Sequence, residues 1–178
     1  LLFIDNEWVD SQSGKTFDTY SPHDGSVIAQ VSEGDKADIE LAVSAAKRAF
    51  HRNSEWRLLD ASKRGQILTK FADLIKRDIG YIAELESLNN GMVLSLAKQF
   101  LGNCDGSVRY VASLADKIQG STVPVDGELF SYTLKQPVGV CALILPWNVP
   151  VLMFLNKVVT ALTAGKLTSI KVKYLSTV

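Results

Sequence analysis

The chain has 178 residues, 47% of them hydrophobic and 21% charged, with 12 Gly and 5 Pro. This is an ordinary globular composition and excludes a collagen-like, disulfide-scaffold or wholly disordered chain. The 19 basic and 19 acidic residues cancel, which gives no support to nucleic-acid binding, where a basic excess or stripe is expected.

The first 34 residues predict short strands and turns. Phe3-Ile4 and Trp8-Val9 flank Asp5-Asn6, two residues that tolerate left-handed geometry, so a hairpin is expected. A second hairpin is expected from segments 17–20 and 27–31 around Ser21-Pro22-His23-Asp24-Gly25. Asp35 can then cap a helix running to Phe50, with Ile39, Ala42, Ala46 and Phe50 on one face. Asp60 can cap the next, whose stripe is Ile67, Phe71, Leu74 and Ile75. Tyr81, Ile82, Leu85 and Leu88 predict a further helix, stopped by Asn89-Asn90-Gly91. A long helix follows, its face carrying Ala97, Leu101, Cys104, Val108, Val111, Ala115 and Ile118. Gly102 and Gly106 weaken it and Gly120 ends it.

The period then changes. Segments 122–125 and 129–135 predict strands around Asp126-Gly127, another hairpin signal. Segment 138–145 is a continuous apolar run, as expected of a strand buried on both faces of a parallel sheet. Residues 149–164 have helical character and Leu167–Val172 that of a strand. Together they make one strand–helix–strand unit, the start of a doubly wound sheet. The apolar length from 138 to 155 approaches that of a membrane span, but Pro146, Asn148 and Pro150 interrupt it, and a buried strand, turn and helix are expected instead. The chain opens Leu1-Leu2-Phe3 without Met or a signal-peptide pattern, so residue 1 is not expected to be the natural start.

The residues with chemical content are Leu145-Pro146-Trp147-Asn148-Val149-Pro150, where the buried strand meets a helix. Ligands in open parallel sheets bind at the carboxyl ends of strands. The Asn148 amide could donate to a developing oxyanion there, and a nearby helix N-terminus would favour negative charge. Alternatively, Asn148 is a turn residue or helix cap and Trp147 belongs to the core; spacing alone favours this plainer reading. Of the two cysteines, Cys104 falls in an apolar helix stripe and Cys141 in a buried strand. Such settings raise a thiol's pKa and make it inert. Their spacing suggests neither disulfide nor metal site, and a reducing compartment is expected. His23, in a polar turn, and His51, after a helix end, are expected to be solvated.

In combination these stretches resemble the N-terminal part of the aldehyde dehydrogenase superfamily, within it the cytosolic and retinal-oxidising type. The resemblance is carried by Phe3-Ile4-Asp5-Asn6-Glu7-Trp8-Val9, Glu33-Gly34-Asp35-Lys36-Ala37-Asp38, Trp56-Arg57 with Asp60-Ala61-Ser62, and Ala72-Asp73-Leu74-Ile75. Further on it is carried by Ala115-Asp116-Lys117-Ile118-Gln119-Gly120, Pro124-Val125-Asp126-Gly127, and Pro137-Val138-Gly139-Val140-Cys141 leading to Pro146-Trp147-Asn148. It covers residues 1 to about 165.

The resemblance implies an α/β fold of three parts. Residues 1–120 would form N-terminal hairpins and helices of a cofactor-binding domain, 121–136 an oligomerisation hairpin, and 137–178 the start of an incomplete doubly wound NAD-binding sheet. It implies oxidation of an aldehyde with NAD, NADP remaining open, by a cytoplasmic homo-oligomer or a chain associating with full-length subunits. No membrane or nucleic-acid partner is implied. Asn148 matches the family's oxyanion-holding asparagine. Ile144, Leu145, Pro146 and Trp147 match the strand end that lines the cofactor site, and Lys171 matches a lysine contacting the adenosine ribose. The family's nucleophilic cysteine and general-base glutamate are expected beyond residue 178, so this chain alone is expected not to oxidise aldehydes. The last dozen residues depart from the pattern. Lys166 replaces an expected Asn, and Val172-Lys173-Tyr174 replaces the segment that carries a ribose-binding glutamate. Two functions follow: an aldehyde dehydrogenase or truncated fragment of one, or a non-catalytic relative with a structural, crystallin-like or oligomer-modulating role.

Overall fold

The computed structural model describes residues 1–165 and the backbone of the strand Leu167–Val172. Two antiparallel hairpins open the chain. β1 (Leu2–Ile4) pairs with β2 (Glu7–Val9), with Phe3 opposite Trp8. Asp5 and Asn6 turn between them at φ of 55° and 65°, left-handed geometry that short polar side chains tolerate. β3 (Thr16–Tyr20) pairs with β4 (Val27–Ser32), with a bulge between Thr19 and Tyr20. Both hairpins match the sequence expectation.

α1 (Lys36–Phe50) starts as predicted, on a capping box. The Asp35 carboxylate accepts the Ala37 N–H and the Asp38 carboxylate accepts the Asp35 N–H, each at 2.9 Å. Asp38 also accepts the Gln12 N–H at 2.9 Å, which ties the helix to the loop after β2. Ile39, expected inside, is exposed, while Ala45 and Ala46 are buried. A short α2 (Glu55–Leu58) follows, capped by the Ser54 hydroxyl.

Where two helices were expected, α3 runs unbroken over Ala61–Asn90. Gly80 costs such a helix only about 1 kcal/mol and there is no proline to stop it. Its buried face carries Leu68, Ala72, Ile75 and Ala83; of the expected stripe Ile75 is buried and Phe71 packs against the core, whereas Ile67 and Leu74 face outward. The helix is apolar on more than one side, so periodicity alone misplaces its inner face. Gly91 ends it at φ 77° with its N–H on the Ser87 carbonyl, a left-handed stop that glycine adopts without penalty.

The expected long helix is instead two: α4 (Leu94–Leu101) and α5 (Cys104–Ala112). Asn103, at φ −113° and ψ 12°, breaks the ladder beside Gly102. The buried positions nevertheless stay in phase across the break, from Ala97 and Leu101 to Cys104, Val108 and Ala112, whereas Ile118 is exposed. α5 stops well before Gly120 and continues only as turns.

β5 (Thr122–Val123) and β6 (Ser131–Tyr132) form a shorter ladder than predicted. The chain between them is a wide loop containing Gly127, not a tight two-residue turn. β7 (Val140–Leu145), α6 (Pro150–Thr163) and β8 (Leu167–Val172) give the expected strand–helix–strand unit, with the strands parallel. The expectation of burial on both faces of β7 is corrected: Ala142 and Ile144 are exposed, while Cys141 and Leu143 are half-buried and Leu145 is buried. Among the described residues only β8 pairs with β7, and nothing covers one of its faces.

The core is helical. Leu68, Ala72, Ile75 and Ala83 of α3 pack with Ala97 and Leu101 of α4, Cys104, Val108 and Ala112 of α5, and Leu155 and Val159 of α6. α1 and α6 both pack against β7 and β8. This bundle fixes α6, and with it the loop between β7 and α6, to α3.

Candidate functional site

The loop 146–149 leaves the carboxyl end of β7 and enters α6. Pro150 occupies the first helical turn, where its missing N–H costs nothing. The N-cap is Val149, and no side chain of the loop caps the helix. Asn148 is therefore not a cap. It is exposed, and its side-chain amide makes no hydrogen bond to the described residues. Trp147 is 42% exposed, so it is not a core residue either. The structure removes the cap and core assignments of the plainer reading, and leaves Asn148 a turn residue, in the bend formed by residues 147–149.

The other predicted residues divide. Ile144 is 62% exposed on the open face of the strand end, three residues before Trp147. Leu145 is 1% exposed and belongs to the interior, so only its backbone is available at the strand end. Pro146 is half-buried. Lys171 lies opposite Ile144 in the parallel register, which brings its backbone to the same end of the sheet; its side chain lies outside the described residues, as do Lys166, Lys173 and Tyr174. The Ile144 carbonyl accepts from Lys157 Nζ of α6 at 2.6 Å, which links strand end to helix.

Three residues at this end were not singled out from the sequence. Glu86 of α3 is 5% exposed, and its carboxylate accepts the Val151 N–H at 3.3 Å. Burial pushes its carboxyl up, and the Val151 bond opposes that only in part. Asn90, on the last turn of α3, donates from Nδ2 to the Asn148 carbonyl at 2.8 Å. Lys157 is the third. A signal for Glu86 existed: it falls where the sequence Leu68, Ala72, Ile75, Ile79, Ala83 demands another apolar residue. Asn90 could be seen only as part of a helix stop. At the α6 N-terminus a carboxyl of the chain itself, that of Glu86, takes the Val151 amide.

The cysteines behave largely as expected. Cys104 is 2% exposed and its thiol is pushed up by burial, with further upward contributions from the Glu86 and Asp105 charges. Cys141 is half-buried rather than fully buried. His23 and His51 are exposed. Among the described residues no cluster of His, Cys, Asp or Glu could hold a metal ion, and no helix is long and apolar enough to cross a membrane. Two surface depressions among the described residues lie elsewhere, one of about 470 Å³ between the start of α3 and the end of α5 and one beside the end of α1.

Residues 8–178 match the model of the aldehyde dehydrogenase family. The chain is 50% identical over 171 residues to aldehyde dehydrogenase 1A1 of Equus caballus, covering 96% of this chain and 34% of that protein. It is likewise 50% identical over 171 residues to aldehyde dehydrogenase, cytosolic 1, of Elephantulus edwardii, with the same 96% and 34% coverage. Among solved structures, the NAD+ complex of an aldehyde dehydrogenase from Bacillus cereus superposes with a TM-score of 0.91 at 36% identity, covering 94% of this chain and 34% of the other. The chain thus spans about a third of the length of these relatives.

Proposed function

The chain belongs to the aldehyde dehydrogenase family, and from that premise we propose that it carries the oxyanion-binding and part of the dinucleotide-binding side of a site that oxidises an aldehyde with NAD. The observation that carries this is the position of Asn148: an exposed amide without a hydrogen-bond partner among the described residues, at the carboxyl end of a strand in a strand–helix–strand unit. A donor left free in this way is available to an oxygen that gains negative charge as its carbonyl carbon is attacked. Ile144 and Trp147 supply an apolar ledge beside it, of the kind a planar nicotinamide or adenine ring rests on. Leu145 and Pro146 shape the turn, and Lys171 offers a cation to ribose hydroxyls. NAD, when bound, supplies the hydride acceptor.

The domain reading goes with this. Residues 1–120 and 137–178 are the beginning of the cofactor-binding domain, the latter an incomplete doubly wound sheet, and 121–136 is a hairpin for joining another subunit. A cytosolic location suits the same reading. Neither cysteine of the chain suits the role of nucleophile, Cys104 being buried and raised in pKa. We therefore expect no NADH formation from aldehyde by these 178 residues alone. No observation favours a non-catalytic, crystallin-like role.

The test is an NAD titration followed by tryptophan emission. Quenching is expected in the wild-type chain, loss of most of it in Trp147→Phe, and about tenfold weaker binding in Ile144→Asp, which places a charge on the ledge. A chain whose emission is indifferent to millimolar NAD would end the proposal.

A further inference from the structure

Helix α6 begins without means of its own to satisfy its first amides. Its N-cap, Val149, has no side-chain acceptor, and Pro150 has no N–H. Val151 is the first residue whose amide needs a partner. That partner comes from 65 residues earlier in the chain, the Glu86 carboxylate at 3.3 Å. One turn further along α3, Asn90 Nδ2 donates to the Asn148 carbonyl at 2.8 Å, across 58 residues of sequence. Asn90 is itself held, since its Oδ1 accepts the Met92 N–H at 2.8 Å. Residues four apart lie on one face of a helix. A single face of α3 therefore grips both ends of the stretch 148–151, one by its carbonyl and one by its amide.

The grip is costly to build unless it serves the loop. A carboxyl at 5% exposure is destabilising without a hydrogen-bond partner, and an apolar residue there would pack with Ile82 and Ala83 at no such cost. An oxyanion donor is effective only when its direction is set before charge develops. A donor on a loop needs that direction imposed by its surroundings. The Asn148 side chain has no hydrogen bond to the described residues, so its peptide is where orientation can be imposed.

We propose that Glu86 and Asn90 are positioning residues for Asn148. Carried on one face of α3, the buried Glu86 and the half-buried Asn90 hold the Asn148 peptide and the start of α6 in one arrangement, which fixes the origin of the side-chain amide. This rests on Asn148 being the oxyanion donor, but the clamp itself is tested without NAD or aldehyde.

The experiment uses the 178-residue chain labelled with 5-fluorotryptophan and read by fluorine NMR, the Trp147 resonance being identified with Trp147→Phe. Amide hydrogen exchange of Val151 is the second readout. Asn90→Asp keeps the acceptor for the Met92 N–H and replaces the donor to Asn148 by a charged carboxylate oxygen that repels the Asn148 carbonyl. It is expected to shift or broaden the Trp147 resonance while Trp8 and Trp56 stay in place. Glu86→Leu is expected to speed Val151 exchange about five- to tenfold, as loss of one hydrogen bond implies. Glu86→Gln, which keeps an acceptor, is expected to return it to near wild type. Ser87→Ala serves as the control. It removes the 2.6 Å bond from the Ser87 hydroxyl to the Met92 carbonyl in the same turn and is expected to leave Trp147 unmoved.

The proposal is overturned if Asn90→Asp leaves the Trp147 resonance unchanged, or if Ser87→Ala moves it as much. Should Glu86→Leu unfold the chain, Asn90→Asp and Glu86→Gln decide alone. A wild-type chain that ignores NAD yet shows these shifts sinks the dinucleotide reading and leaves the clamp standing. NAD binding with an unmoved Trp147 does the reverse.

Discussion

Two backbone N–H groups, first that of Asp35 and then that of Gln12, hold the buried Asp38 carboxyl below its ordinary value of 3.8. A carboxylate lowered in this way stabilises the folded state above its unfolded pKa, and that contribution is lost as pH falls through the folded value. Thermal midpoints of wild type and Asp38→Asn are therefore expected to differ above about pH 4 and to converge in stronger acid. A gap that stays constant down the acid limb would show that the charge is not what matters. Glu86 has the opposite sense. Its carboxyl is raised by burial, so its ionised form opposes folding, and a buried acid with one long hydrogen bond is retained at a cost in stability. Two residues of α3, Glu86 and Asn90, thus hydrogen-bond the stretch 148–151 at the strand end.

At the scale of elements, the fold depends on how closely helices approach. Gly65 shows this. A Cβ there would lie 2.9 Å from the Ala112 carbonyl oxygen of α5, inside any ordinary contact. Gly65→Ala would raise the intrinsic helix propensity of α3, yet it is expected to destabilise the chain by about 1–3 kcal/mol, because the two helices must separate to admit the methyl group. The urea midpoint should fall with the slope of the transition unchanged. A rise in the midpoint would mean that α3 and α5 do not cross as closely as described. The small residues Ala72, Ala83, Ala97 and Ala112 of the bundle have the same cause.

For the whole molecule, the two parts differ in support. The four helices α3 to α6 share one apolar cluster. The parallel sheet, among the described residues, is a single pair of strands, and two-stranded sheets are marginal in water with edges that invite pairing. Amide exchange is therefore expected to be much faster in β7 than in the Leu68–Ile75 stretch of α3. A chain that remains monomeric at high concentration with β7 protected as well as α3 would contradict this. Leu129, Phe130 and Leu134 around β6 are likewise exposed.

Local chemistry determined much of this protein. Asp5-Asn6 set the first turn, Asp35 and Asp38 the first helix start, Gly91 a helix end, and Pro146 and Pro150 the break between β7 and α6. Each acts within a few residues through a φ preference or a nearby hydrogen bond, and so can be seen in one stretch of sequence. The residues 144–148 were legible for the same reason, as the end of an apolar run closed by turn formers. Tertiary structure alone decided which face of α3 is inside, that Gly80 leaves the helix whole while Asn103 breaks its successor, and that β7 is open on one side. It alone brought Glu86 and Asn90 to Val151 and Asn148. Those outcomes depend on the closeness of partners outside the local stretch, 58 and 65 residues away for the two bonds to the loop, and neither period nor propensity carries that information.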